Sequence, residues 1–247
     1  MTVSAPLEGE NTIFLDLRGV ADASAGPQIF AHAQRLGLGQ RILVEIDRDP
    51  HTLLRAASFQ MRETISWSAE EKDRGWQVEI RPRVEVDARD VVDLLVWDHY
   101  RLDRQFSEVL AAANAGRMEE AEAIFREYWI GLRRHVYMEN HVLAPALGGG
   151  MEQGPLADML FEHDSIVEQS RLVDETFREQ DHALLPAICA VLSGSLAKHE
   201  NREENTLFPL WQAANNRDRT RAAEFLERTR ALLAGAEDQT VKQMFPE

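Results

Sequence analysis

Residues 133–145 read RRHVYMENHVLAP, and residues 197–209 read AKHENREENTLFP. In each stretch a histidine precedes a glutamate by four positions, His135 with Glu139 and His199 with Glu203. On a helix that spacing stacks the two side chains on one face, about 6 Å apart at Cβ. A leucine follows four beyond each glutamate (Leu143, Leu207) and a proline two further on (Pro145, Pro209). The proline predicts the end of each helix, because it lacks an N–H and clashes with the preceding turn.

Working outward, VWDHYRL (96–102) and LFEHDSI (160–166) also correspond. Each places an aromatic, an acid and a histidine in succession: Trp97, Asp98, His99 and Phe161, Glu162, His163. One offset of 64 residues carries 99 to 163, 135 to 199, 139 to 203 and 145 to 209. The chain therefore contains a duplicated helical hairpin. Breaks at Gly116, at the GGG of 148–150, around Gln180–Asp181 and at 214–216 delimit four long helices and a shorter fifth. In an up-down bundle with short loops, residues equidistant from a turn lie level. The midpoints of successive histidines fall beside Gly116, inside the GGG and at Asp181. All four imidazoles are thus predicted at one height.

The rest of the chain sets the context. Its 247 residues are long enough for one large domain or two modest ones, and 44% hydrophobic with 28% charged is a globular balance. The net charge of −15 argues against nucleic acid or an anionic membrane as the main partner. No apolar run reaches the roughly 18–20 residues of a membrane span. The start, MTVSAPLEGE, lacks a secretory pattern, and the single cysteine, Cys189, fits a reducing cytoplasm.

Before the helical pattern, the residues read as an α/β two-layer βαβαββ domain over 1–84. TIFLDLR (12–18) and RILVEID (41–47) are strand-like, and TISWS (64–68) and WQVEI (76–80) form a hairpin around a solvated EEKDRG turn. GPQIFAHAQRLG (26–37) and DPHTLLRAASFQM (49–61) are helical, the second with Asp49 as N-cap and Pro50 at the first helical position. RPRVEVDARD (81–90) reads as a linker. Residues 85–247 form the all-α part, and this part holds the acidity: net −13, against −2 for residues 1–84.

Four imidazoles and two carboxylates at one buried level need a cation, since each carboxylate must be neutralised and each polar group partnered. Six ligands without a thiolate are too many for one tetrahedral zinc. Two six-coordinate ions offer about twelve positions; the side chains and a bridging oxygen fill about ten and leave about two open. Imidazole with carboxylate suits iron, with manganese and zinc compatible by ligand type. The expectation is a di-iron site with room for a diatomic molecule.

Residues 91–213 resemble the hemerythrin family in its bacterial HHE cation-binding form, in the order His, His-x-x-x-Glu, His, His-x-x-x-Glu and in the ENHVLAP and EENTLFP tails. The resemblance implies a four-helix bundle, to which the shorter fifth helix read above is an extra C-terminal helix. Its two iron ions would share an oxo or hydroxo bridge, with His99, His135, His163 and His199 as terminal ligands and Glu139 and Glu203 as bridges. Oxygen carriers of the family have a further histidine where this chain has Val167, and an aspartate five after the last histidine. Here that place holds Glu204, and the repeat favours Glu203. The pattern is closer to relatives that sense nitric oxide or oxygen, or repair iron centres. The expected function is binding or sensing of oxygen, nitric oxide or peroxide, leaning away from an enzyme. The alternative is a di-iron enzyme that reduces nitric oxide or peroxide or delivers iron to damaged iron–sulfur centres.

The N-terminal part resembles small TusA-like sulfur-carrier domains and an uncharacterised family found beside hemerythrin-like domains. Sulfur carriers place a cysteine after the first strand; RGVADASAGP (18–27) has none. Docking of a protein or redox partner is the expected role. Tyr128, seven before His135, is expected to face inward, as a core aromatic or as a donor near the metals. Asp98 and Glu162 point about 100° away from the histidines they precede, toward neighbouring helices or solvent. His141 departs from the ligand face; His32, His51 and His182 read as surface or loop residues. Trp97, Phe125, Trp129 and Phe161 read as packing, and Cys189 as a buried, inert thiol.

Overall fold

The structure is a computed structural model that describes residues 12–37, 39–61, 64–84, 87–147 and 154–245. The chain divides into two compact units, Met1–Asp87 and Ala88–Glu247. Asp87 belongs with the first because its carboxylate accepts from Arg81 (2.6 Å) and from the backbone N–H of Val84 (2.9 Å).

In the first unit the order is β1 (Thr12–Asp16), α1 (Asp22–Ala33), β2 (Arg41–Ile46), α2 (His51–Gln60), β3 (Ile65–Lys72) and β4 (Gly75–Pro82). The sheet runs β1-β2-β4-β3, with β1 parallel to β2 and the other pairs antiparallel. Ile42, Val44 and Ile46 pair with Ile80, Val78 and Trp76. They share one face, as the two-residue side-chain period requires, and form one core with Ile29, Ala33, Leu54 and Ala57 of the helices.

Several boundaries differ from the sequence reading. α1 begins at Asp22, not Gly26, and ends at Ala33, short of Gly37. Pro27 lies inside it, near the N-terminal end, where a missing N–H removes a single rung. The hairpin turn is Asp73–Arg74 alone: β3 and β4 continue to the Lys72–Gly75 pair, which absorbs most of EEKDRG. Gly75, at φ +125°, makes this possible, since a Cβ there would lie 2.3 Å from the Ile46 carbonyl oxygen. α2 begins at His51, so Pro50 takes the N-cap place expected of Asp49 and is not the first helical residue; Asp49, one residue earlier, accepts the His51 N–H at 2.9 Å. Arg81 and Pro82, read as linker, are strand.

The second unit holds α3 (Val91–Asn114), capped by Asp90, whose carboxylate accepts from the Asp93 N–H at 2.9 Å. α4 follows as Met118–Met138, a π-helical turn Glu139–Leu143 and a last turn Ala144–Leu147. α5 is Pro155–Arg178. α6 runs Leu185–Arg202, a π-helical turn Glu203–Leu207 and Phe208–Arg217. α7 (Arg219–Leu233) and α8 (Asp238–Met244) close the chain. The four long helices pack in a ring, α3 on α4, α4 on α5, α5 on α6 and α6 on α3. Phe106, Phe125, Phe177, Leu185 and Leu192 fill the part of the bundle toward the α3–α4 and α5–α6 turns. Val91, Leu95, Leu143, Phe208 and Trp211 belong to a second cluster.

The helix ends need correction too. Pro145 and Pro209 do not stop their helices. Each follows a π turn, in which Ala144 N–H bonds to Glu139 C=O and Phe208 N–H to Glu203 C=O. The extra residue shifts the bonding register, so the proline falls in the first turn of the resumed α-helix, where its N–H is not needed. The break expected at 214–216 lies at Asp218, which caps α7 by accepting from the Arg221 N–H. The GGG turn at 148–150 lies outside the described residues. Phe161, read as packing, is 76% exposed.

Candidate metal centre

His99 on α3, His135 and Glu139 on α4, His163 on α5 and His199 and Glu203 on α6 are all buried. Their ligating atoms form two groups, His99, His135, Glu139, Glu203 and Glu139, His163, His199, Glu203, each with its atoms within 4.8 Å of one another. Both groups contain both glutamates. Glu139 Oε2 lies 3.3 Å from His135 Nε2 and 3.2 Å from His163 Nε2. Glu203 Oε2 lies 3.4 Å from His99 Nε2 and 3.3 Å from His199 Nε2. Both glutamates open a π turn, where one added residue re-aims the side chains that follow.

Each imidazole is held from behind, through Nδ1. His135 Nδ1 lies 2.9 Å from Asp98, and His199 Nδ1 lies 3.3 Å from Glu162. His163 Nδ1 lies 2.6 Å from Asn140 Oδ1, and His99 Nδ1 lies 3.5 Å from Glu204. The duplication extends to these partners: Asp98 maps onto Glu162 and Asn140 onto Glu204 by the same offset. Asp98 and Glu162 do serve neighbouring helices rather than their adjacent histidines. A cation stands behind each: Arg101 Nε 2.6 Å from Asp98, and Arg202 2.9 Å from Glu162. The roles of Asn140 and Glu204 escaped the sequence reading. The duplication could have found them, since each directly follows a bridging-position glutamate.

A carboxylate or amide oxygen can only accept, so each Nδ1 donates, and in the neutral imidazole that a cation requires Nε2 then turns a lone pair toward the centre. His163 Nε2 and His199 Nε2 then face each other at 3.0 Å, lone pair to lone pair. Among the described residues, all four carboxylate oxygens of Glu139 and Glu203, with His99 Nε2 and His135 Nε2, find no hydrogen-bond partner. Buried polar atoms in this number are costly unless a cation meets them. Protein charges alone leave the cluster divided. Burial and the neighbouring His163 push His199 down to about 2, whereas His135, despite burial, is pushed up to about 9 by Glu139 and Asp98. Burial and the charge of Glu139 raise the Glu203 carboxyl; Glu139 itself, against burial, is held well below the usual range by His135 and His163. The donor set fits two cations sharing two carboxylates.

Other candidates lie apart. His141 is exposed, with its ring 5.0 Å from that of Tyr137. His182 is exposed, and His51 packs edge-on against Trp67 and Trp76. Tyr128 is buried against Phe106 and Phe125.

Residues 90–211 match the family model described as the Hemerythrin HHE cation binding domain. Residues 14–82 match a separate one, described as an Uncharacterized conserved protein (DUF2249). A hemerythrin-like domain thus follows a small, distinct N-terminal domain. No curated protein and no solved structure matches the chain significantly.

Proposed function

We propose, with residues 90–211 taken as the hemerythrin HHE domain they match, that this protein binds two iron ions with a bridging oxo or hydroxo group and uses them to bind or sense oxygen, nitric oxide or peroxide in the cytoplasm. His99 and His135 would serve one ion, His163 and His199 the other, and Glu139 and Glu203 both. The observation that carries the reading is the pair of buried four-residue groups sharing two carboxylates whose oxygens have no hydrogen-bond partner among the described residues. When bound, such a centre supplies an electron-rich metal with open positions for a diatomic molecule or peroxide.

The chain's own residues prepare the site. Asp98, Asn140, Glu162 and Glu204 fix the Nδ1–H tautomer of each imidazole and aim Nε2 inward. The bundle core keeps bulk water from the carboxylates. No helix among the described residues is long and apolar enough to cross a membrane. The N-terminal unit, with Phe14 and Phe59 exposed, is assigned to docking a protein or redox partner.

The test is metal analysis with an optical spectrum of the aerobic protein, repeated for His135→Ala. Iron near two per chain, a spectrum that changes on adding nitric oxide, and loss of both in the variant are expected. Zinc alone from iron-replete cells would overturn the reading. Sustained turnover with a reductant would favour the enzyme alternative.

A further inference from the structure

Beside the four imidazoles lies a cavity of about 10 Å³, room for roughly one water-sized molecule. Its walls come from both copies of the repeat. Leu102 corresponds to Ile166 and Leu132 to Leu196, and at these places the wall is apolar on both sides. Three positions break the correspondence. Tyr128 stands where the second copy has Leu192, Asp103 where it has Val167, and Glu200 where the first copy has Val136. All three polar members line the cavity. Two of them, Asp103 on α3 and Tyr128 on α4, come from the hairpin that carries His99 and His135.

Tyr128 is the telling residue. It is 1% exposed, and its hydroxyl has no hydrogen-bond partner among the described residues. A core aromatic would be served as well by phenylalanine, since the ring contacts with Phe106 and Phe125, at 5.0 and 5.8 Å, need no oxygen. A hydroxyl buried without a partner costs about 1–3 kcal/mol. Burial also keeps it protonated, hence a donor. Exposed Asp103 adds negative charge to the same wall.

We propose that this cavity seats the exogenous ligand on the His99–His135 side, that the ligand is a small uncharged hydrogen-bond acceptor, and that Tyr128 holds it by donating from its hydroxyl while Asp103 disfavours anions. The proposal rests on the metal-binding reading above and names the ligand class of that site.

The test uses the full, iron-loaded chain and its Tyr128→Phe variant, with nitric oxide and azide as probes. Equal iron content is expected in both, because Tyr128 is not a ligand. Nitric oxide should leave the variant about 3- to 10-fold faster, the worth of one neutral hydrogen bond. The N–O stretching band should also shift, a signature that altered packing alone does not give. Asp103→Asn should raise the azide association rate and leave that of nitric oxide nearly unchanged. Should Tyr128→Phe lose iron, Leu196→Phe tests the seat from the opposite wall: iron kept and nitric oxide excluded is the expected result. Iron-loaded protein whose nitric oxide release and stretching band ignore Tyr128→Phe overturns the proposal, as does nitric oxide binding untouched by Leu196→Phe. Equal azide rates with and without Asp103 overturn its charge component. Protein that takes up no iron overturns the metal-binding reading instead.

Discussion

Asp98→Asn isolates the support behind one imidazole without touching any proposed ligand. The Asp98 carboxylate is fully buried, with one oxygen 2.9 Å from His135 Nδ1 and the other 2.6 Å from Arg101 Nε. Burial opposes its ionisation, but Arg101 and His135 hold it charged below the usual carboxylate range. Losing a buried partner of this kind commonly costs about 10- to 100-fold in metal affinity, or about 1.4–2.7 kcal/mol. The asparagine oxygen still accepts from Nδ1, which places the expected loss near the lower end, about 10- to 30-fold. Glu162→Gln is the internal comparison. Its carboxylate sits 3.3 Å from His199 Nδ1, is 14% exposed, and is already drawn toward Arg202 at 2.9 Å. Its loss should cost about 3-fold or less, since exposed and shared charges contribute little. The assay is iron retention against a competing chelator at neutral pH, with thermal unfolding of the metal-free proteins as the folding control. An Asp98→Asn protein that retains iron as the parent does, or a Glu162→Gln effect larger than that of Asp98→Asn, would refute the reasoning.

Three further outcomes are expected. Burial pushes the Cys189 thiol up to about 11, so a thiol-reactive disulfide at pH about 8 should leave the native protein unlabelled and label it after unfolding in urea; rapid native labelling would contradict this. Gly75→Ala sets a Cβ 2.3 Å from the Ile46 oxygen at a positive φ, so the N-terminal unit should lose about 1–3 kcal/mol while the helical unit keeps its iron; an unchanged melting profile would count against it. The hydrogen bond from Arg134 holds the Asp238 carboxyl below its ordinary value, so the tie of α8 to α4 is present above about pH 4 and is lost as pH falls through that lowered value. Amide exchange in α8 should accelerate over that window and lose its pH dependence in Asp238→Asn; exchange indifferent to pH in the parent would refute the assignment.

Much of the fold and the candidate site was legible in the sequence because helices convert spacing into geometry. A histidine and a glutamate four apart must share a face, and one offset repeated across both hairpins leaves few arrangements other than convergence at one level. The order βαβαββ was legible for the same reason, since period-two and period-3.6 patterns are local. What the sequence could not reveal depends on which element lies beside which. The strand order β1-β2-β4-β3 joins β2 to β4 across α2 and β3, a pairing decided by distant residues. Pro145 and Pro209 look like stops in one dimension; only the π turns before them show how each helix continues. Asp98 and Glu162 have no evident purpose until helix packing sets them behind His135 and His199. The orphaned hydroxyl of Tyr128 is likewise a property of its neighbours, because burial and partnering are relations between helices, and spacing along one chain specifies only the face from which they begin.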